Sequence, residues 1–476
     1  MPILAELLAF VKARRAQSYL VGGTVRDTLL GRDRYDIDVT VTGDAIATAR
    51  AFADVIRGAF YVMDDEFDVA RILVEQDGAR QTVDFARMRG ETIEQDLATR
   101  DFSINAMAFD ISGGTWVERD LIDPFNGHND LDARRIRAVS KAVFDNDPVR
   151  LLRAVRFEAS LGFVLDAATE TLVRHEARKL VDAPPERVRD EFYKIISAES
   201  CARHIRRFDD LGLLQFVLPE VAELKGVAQP APHTYDVFTH TLHTLDALEQ
   251  VQRGGYLDLA EGAFATQLSL HLAATVSSGH TRGNLLRIGT LLHDIGKPIV
   301  QTSEPGGRIR FAEHEHVGPE LAERTLRRLR FSNDEIHLLT TIIAEHMQPL
   351  WLAGGPMTTD LAVYRYFRAT GDAGVDLAVH AWCDLRARSA EVQPFEVDAA
   401  LQAVIARLLD RYYHARDKVV DPPVLLNGRE VIDIGEIPQG PLVGKCMEAL
   451  REAQATGQVM NREQAMDFVK HWRPGA

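Results

Sequence analysis

Over roughly the first 140 residues, short β-branched runs alternate with helix-like segments. "SYLVGG", "YDIDVTV", "VARILVE" and "RQTVDFA" read as strands, and the turn "QDGA" between the last two predicts a hairpin. In "YDIDVTV" the alternation is strict. Asp36, Asp38 and Thr40 take one face, while Ile37, Val39 and Val41 take the other. From about 141 to 215 the apolar spacing changes to three and four ("VRLLRAVRFEASLGF"), which predicts helices. Longer helical segments run from about 225 to 395, entered through the loop "GVAQPAPHTYD", and they carry most of the histidines. From about 396 a helical stretch leads into "DPPVLLNGREVIDIGEIPQGP", which reads as a loop, and then into further helices. The start, "MPILAELLAFVKARRAQ", holds Glu6 inside its apolar stretch and its basic residues after it, a helix pattern and not signal-peptide order. The expected class is α+β, a small mixed β-sheet followed by all-α regions, divided at 1–140, 141–224, 225–395 and 396–476.

Composition narrows this picture only a little. A chain of 476 residues is too long for one core and fits about three domains. The hydrophobic share of 46% and charged share of 26% are those of a soluble globular enzyme, and no apolar run is long enough to span a bilayer, so no membrane partner is expected. The three cysteines, Cys201, Cys383 and Cys446, are too few and too scattered for a disulfide framework or a cysteine zinc site. A reduced, cytoplasmic setting is the simple expectation. The net charge of −15 argues against indiscriminate nucleic-acid binding. Arginines concentrated between Arg134 and Arg207 leave room for a local basic surface.

Charge patterning raises one question sharply. A strand that carries Asp36 and Asp38 on one face sets two carboxylates about 7 Å apart at the backbone. Such a pair is costly unless a cation joins it. Two Mg²⁺ ions about 4 Å apart fit the spacing, one activating an attacking hydroxyl and the other holding triphosphate oxygens. Asp84, in "TVDFA", would supply a third carboxylate if its strand lies beside that of Asp36 and Asp38. The preceding "LVGGTVRDTLLG" runs from a strand through Gly22-Gly23 into a helix start. Its glycines let backbone N–H groups approach a phosphate chain, and Arg26 lies one turn further on.

Strand, Gly-Gly, Arg and Asp-x-Asp in this order resemble the head of class II tRNA nucleotidyltransferases. These are the bacterial CCA-adding enzymes and their poly(A) polymerase relatives in the DNA polymerase β superfamily. The resemblance continues in register over about the first two hundred residues. "DLATRDFSINAMA" is similar to their ribose-recognition motif and "LIDPFNGHNDLDARRIRAV" to the hinge between head and neck. "NDPVRLLRAVRFEASLGF" is similar to their nucleotide-selecting helix, with "PERVRDEFYKII" as the motif after it. The resemblance implies Gly22, Gly23 and Arg26 on the triphosphate, Asp36 and Asp38 on magnesium, and Arg100, Asp101 and Asn105 on ribose and phosphates. Asp147 and Arg150 would read the base edge as a protein template, since Arg offers paired donors and Asp offers acceptors. Arg150, Arg153 and Arg156 share one helix face. The implied partners are tRNA, at its acceptor stem and elbow, with CTP and ATP as nucleotides. The tail "LLNGREVIDIG…GPLVGKCMEALREAQATGQV" resembles the segment expected to meet the elbow through phosphate and shape contacts.

Two departures from the family pattern matter. Asn146 stands where a glutamate is usual before the template aspartate. Between Arg89 and Asp96, in "VDFARMRGETIEQDLATRD", the longer flexible loop of CCA-adding members is nearly absent. In related enzymes a shortened loop accompanies CC-only addition, so a CC-adding enzyme is expected alongside the full CCA alternative.

Histidines recur in a fixed order: "DVFTHTLHTL", "GTLLHDIGKP", "FAEHEHVG", "IIAEHMQP" and, for the last acid, "AWCDLRA". Adjacent His293 and Asp294 followed by Ile-Gly-Lys mark an HD-type metal hydrolase, because a helix end lets successive side chains converge on one ion. His240, His293, Asp294 and Asp384 form the expected core, His314 and His346 a second metal position, and Lys297 a phosphate contact. Imidazole and carboxylate suit a divalent transition metal or Mg²⁺ alike. Some bacterial CCA-adding enzymes carry such a domain with phosphatase or 2′,3′-cyclic phosphodiesterase activity. The remaining alternatives are an RNA-end hydrolase whose head only recognises RNA, and a poly(A) polymerase.

Overall fold

The computed structural model describes residues 2–32, 36–76, 79–355, 358–388 and 395–474. It divides into two compact units, Met1–Arg187 with Leu211–Phe216, and Val188–Asp210 with Val217–Ala476.

The first unit is built on a six-stranded sheet: β1 (Ser18–Val21), β2 (Asp36–Val41), β3 (Ala59–Asp64), β4 (Val69–Gln76), β5 (Ala79–Arg87) and β6 (Ala108–Asp110). The order is β3-β4-β5-β2-β1-β6. β2 and β5 run parallel and every other pair is antiparallel, so the sheet is mixed, as the alternating pattern implies. Ile37, Val39 and Val41 are buried, with Ile72, Val83 and Phe85 beside them on neighbouring strands. The helix Ala45–Ile56 covers this apolar face. Its first turn is held by Asp44, which accepts from Ala47 N, and by Asp68, which accepts from Ala45 N and Ile46 N at 2.9 and 2.8 Å. Phe52 packs between Phe10, tilted to it, and Phe85, edge-on to it, with ring centroids 5.1 and 5.9 Å away. One face buried in this way leaves the opposite face, with Asp36, Asp38 and Asp84, open for chemistry.

The predicted hairpin is present as β4–β5, with Gln76 opposite Ala79; Asp77 and Gly78 of its turn lie outside the described residues. Strand β3 carries no such signal in the sequence. It forms the sheet edge and five of its six residues are exposed, so no alternation of burial marks "AFYVMD".

The second unit is helical. Val237–Arg253, Arg282–Leu292, Asn333–Glu345 and Ala373–Ala387 pack together, and in the last of these every residue except Arg386 is buried. The three cysteines are buried free thiols. One element differs from expectation. The segment read as a loop, "DPPVLLNGREVIDIGEIPQGP", contains the helix Gly428–Gly435. Asn427 opens it: its side chain accepts from Arg429 N and Glu430 N, while the Glu430 carboxylate accepts from Asn427 N. An Asn-Gly that looks like a turn signal is here the start of a capping box. This helix packs with Pro441–Ala455 and Arg462–His471 around Val431, Cys446, Leu450 and Val469.

Phe52 is fully buried at the junction of helix and sheet. Phe52→Ala is expected to destabilise the sheet-bearing unit by about 3–5 kcal/mol, measured by denaturant unfolding. A loss under about 1 kcal/mol would show that the aromatic stack is not central to the core.

Candidate functional site

β1 runs directly into the helix Gly22–Leu29 through Gly22, whose φ is +64°. The left-handed conformation favours glycine, and so does the space: a Cβ there would lie 2.9 Å from Arg100 Nη1 and 3.0 Å from Asp38 Oδ2. Gly23 N donates to Asp38 Oδ2 at 3.2 Å. Thr24 locks the next strand in place, its Oγ1 accepting from Asp38 N at 2.6 Å. The two glycines, the helix start and Asp38 therefore form one surface.

Asp36 and Asp38 share a face of β2, and the parallel register sets Asp38 directly across from Asp84 and Asp36 across from Thr82. Asp36 accepts from Thr82 Oγ1. Burial pushes the Asp38 carboxyl above its ordinary range; Arg100 opposes this, while Asp84 and Asp36 push it further up. The strand pattern put Asp36 and Asp38 on one face, and the pairing of β2 with β5 meets the condition on which Asp84 was expected beside them. Asp84, however, is not idle: Arg71 on β4 donates to both of its oxygens, Nε to Oδ1 at 2.8 Å and Nη2 to Oδ2 at 2.7 Å.

The basic residues are held by partners that the motifs did not reveal. Arg26 is clamped by Asp27 (2.9 and 2.8 Å) and donates to Asn105 Oδ1 at 2.8 Å. Asn105 Nδ2 in turn donates to Asp101 at 3.1 Å, and Asp101 accepts from Arg153 Nε at 2.7 Å. An unbroken polar chain, Asp27–Arg26–Asn105–Asp101–Arg153, thus joins the glycine turn to the helix Arg150–Leu161. Arg100 donates to Asp96 and to Thr40. Arg150 donates to the carbonyls of Thr99, Arg100 and Val143. Arg156 lies over the Phe157 ring at 4.2 Å. Asp147 is held bidentately by Arg187, at 3.1 and 2.7 Å. Arg187 sits in "PERVRDEF", so its motif was visible but its pairing was not.

The helical unit brings six predicted residues to one centre. His240 comes from Val237–Arg253, His293 and Asp294 follow Arg282–Leu292, His314 opens His314–Arg328, His346 ends Asn333–Glu345, and Asp384 lies on Ala373–Ala387. Their ligand atoms form two triads, His240, His293, Asp384 and Asp294, His314, His346, with the atoms of each within 4.8 Å of one another. Asp294 falls between them: its Oδ2 is 3.1 Å from His293 Nε2, and its Oδ1 is 3.5 Å from His314 Nε2. The sequence grouped Asp294 with the first set; the geometry sets it across both.

Four imidazoles turn Nδ1 to a backbone carbonyl: His240 to Ala387, His293 to Thr290, His314 to Phe311 and His346 to Ile343. A proton on Nδ1, donated to these carbonyls, would leave the Nε2 lone pairs facing the centre. Among the described residues His293 Nε2 and Asp294 Oδ1 are buried and make no hydrogen bond, although Asp294 Oδ2 and His314 Nε2 approach them to 3.1 and 3.5 Å, an arrangement of close unbonded donor atoms that suits a coordination site. The donor set fits a divalent metal. Burial pushes His346 well below the usual imidazole range, leaving it neutral as a ligand must be. Lys297 Nζ bridges Asp294 Oδ2 and Gln229 Oε1, both at 2.7 Å. His380 was missed by the sequence reading, although it lies one turn before Asp384 on the same helix. Its ring is 4.9 Å from that of His293, and burial lowers its pKa to about 3.

A sheet with this acidic face and a buried His/Asp centre define a nucleotidyltransferase head combined with an HD domain. Family models agree: residues 18–137 match the poly A polymerase head domain, 162–225 the probable RNA and SrmB-binding site of polymerase A, and 237–412 the HD domain. An A-adding tRNA nucleotidyltransferase of Deinococcus radiodurans is 33% identical over 463 residues, 95% of each chain. A CC-adding tRNA nucleotidyltransferase of Thermus thermophilus is 30% identical over 465 residues, 96% of this chain and 94% of its own. A solved CCA-adding enzyme in complex with ATP shares the fold, at a TM-score of 0.63 and 21% identity, covering 98% of this chain and 94% of its own. The chain belongs to the tRNA nucleotidyltransferase family. Among the described residues no helix is long and apolar enough to cross a membrane.

Burial alone would raise the Asp101 carboxyl, but the Arg153 charge and the donors Asn105, Arg153 and Phe102 N bring it down to about 2. Its folded value lies below the unfolded one, so its ionisation stabilises the fold above about pH 4 and that contribution fades as pH falls towards 2. Asp101→Asn is expected to cost about 2 kcal/mol at neutral pH, with the gap to wild type closing below about pH 4 in denaturant titrations. A pH-independent gap would contradict the Arg153 pairing as its cause.

Proposed function

We propose that this chain adds CMP to the 3′ ends of tRNAs lacking CCA and stops at CC. The observation that carries this reading is the segment Met88–Thr92 between β5 and the helix Ile93–Ala98. It is short and tied at every turn. Arg89 N donates to Asp96 Oδ1 at 3.0 Å, Glu91 N to Gln95 Oε1 at 2.7 Å, and Thr92 caps Gln95 N. A loop that must move to reshape the pocket from C to A has no length here to do so without uncapping the helix that leads into Arg100 and Asp101. The CC-adding name of the Thermus relative supports the reading. The A-adding name of the Deinococcus relative favours a second one, in which only the terminal A is added. These relatives are named for tRNA end addition, so poly(A) synthesis and hydrolysis with an inert head are not favoured.

In the proposed mechanism Asp36 and Asp38 hold magnesium, which supplies charge neutralisation of the triphosphate and activation of the terminal 3′-hydroxyl. Gly22, Gly23 N–H and Arg26 receive the phosphates, with Arg26 already oriented by Asp27 and Asn105. Arg100, Asp101 and Asn105 set the ribose, and a donor or acceptor left unpaired by a deoxynucleotide accounts for its rejection. Asp147 and Arg150 present acceptor and donors to the base edge, positioned by Arg187 and the Thr99 carbonyl. In-line attack on the α-phosphate then expels pyrophosphate. The domain reading is head 1–140, neck 141–224, HD domain 225–395 and tail 396–476, with the tail on the tRNA elbow. A cytoplasmic setting follows from the substrate.

For the HD centre we propose that His240, His293, Asp384, Asp294, His314 and His346 would hold divalent metal, which would supply water activation for hydrolysis of phosphate esters at RNA ends, including 2′,3′-cyclic phosphates. Lys297, released from Asp294, would meet the substrate phosphate.

Sequencing of product 3′ ends on transcripts lacking CCA, given CTP and ATP together, is expected to show CC and no further A. Efficient A addition to transcripts ending in CC would contradict this. Metal content after purification is expected to fall by at least about one ion in His293→Ala/Asp294→Ala; content equal to wild type would remove the ligand assignment.

A further inference from the structure

Among the described residues Arg71 is the one basic side chain in the register row that runs through Asp84 to Asp38. β4, β5 and β2 are consecutive, and the registers Arg71↔Asp84 and Asp84↔Asp38 align the three on one face. Both Asp84 oxygens are committed to Arg71, through Nε and Nη2. Arg71 Nη1 has no hydrogen-bond partner among the described residues, and the side chain is 40% exposed. A part-exposed guanidinium held by two of its nitrogens, with the third unbonded among the described residues, is arranged to bind an anion.

Sheet order identifies which anion. Gly22-Gly23 follow β1, on one flank of β2, whereas Arg71 lies on the other flank, two strands and about 10 Å from Asp38. If the triphosphate rests on the glycine side, as the proposed function has it, the leaving pyrophosphate departs on that side. An in-line displacement requires the attacking hydroxyl to enter from the opposite one. The Arg71 flank is therefore where the end of the RNA arrives. Resting on that reading of the head, we infer that Arg71 binds a backbone phosphate next to the 3′ end of the acceptor RNA, and that Asp84 acts as the residue positioning Arg71 and not as a third metal ligand. A fixed cation here aligns the attacking strand and relieves the crowding of Asp36, Asp38 and Asp84.

The test uses the full chain and a tRNA transcript lacking CCA. Arg71→Ala is expected to raise the KM for tRNA about tenfold or more, with the KM for CTP unchanged. It should also flatten the salt dependence of tRNA binding by about one unit of log–log slope. Arg71→Lys, which keeps the charge and loses the fork, should fall between. Asp84→Asn should raise the tRNA KM in the same direction. The Arg71→Ala/Asp84→Asn double variant should be no worse than Arg71→Ala, because one residue acts through the other. Manganese titration followed by electron paramagnetic resonance should count the same number of bound ions in Asp84→Asn as in wild type. Loss of an ion in Asp84→Asn, additive effects in the double variant, or an unchanged tRNA KM in Arg71→Ala would overturn the inference. Asp38→Asn is the control for the underlying reading: full incorporation in that variant would overturn the head assignment itself, whatever Arg71 does.

Discussion

Two carboxylates on β2 and a third directly across on β5 crowd negative charge onto one face of a small sheet, and most of the head can be read as a response to that repulsion. Burial and its acidic neighbours raise the Asp38 carboxyl. Gly23 N–H, Arg100 and Arg71 are drawn in around the cluster. The apolar side of the same strand, Ile37, Val39 and Val41, is buried, which fixes the face on which the acids stand. What the protein atoms leave incompletely neutralised is suited to divalent cations bearing a triphosphate.

The helical unit solves a different problem by orientation. Four of its imidazoles, those of His240, His293, His314 and His346, are turned by a backbone carbonyl on Nδ1, so that their Nε2 atoms face a common centre. Where the head gathers carboxylate oxygens, the HD centre mixes nitrogen and oxygen, a donor set that suits a wider range of divalent metals. One chain thereby joins an acidic nucleotidyltransferase sheet and a buried His/Asp centre of an HD domain.

Much of this was legible in the sequence because it is periodic or contiguous. Alternation in "YDIDVTV" gave the faces of β2, and the His-Asp step after an apolar helix gave the convergence of His293 and Asp294. What stayed hidden is of two kinds. Elements without a burial rhythm, such as edge strand β3 and the short capped helix Gly428–Gly435, leave no periodic trace. Partners distant in sequence leave none either: Arg71 to Asp84, Arg187 to Asp147 and Arg153 to Asp101 depend on register and packing that one sequence does not encode locally. The partners of the functional residues, more than the residues themselves, had to come from the structure.

The central claim, that Asp38 is held in an unfavourable charged state which a divalent ion relieves, is tested most directly by thermal unfolding with and without Mg²⁺ at neutral pH. Because the folded carboxyl is pushed up, its ionisation destabilises the metal-free fold. Asp38→Asn should therefore unfold at a higher temperature than wild type without metal, and Mg²⁺ should stabilise wild type but not the variant. A variant less stable than wild type without metal, and shifted equally by Mg²⁺, would contradict the account.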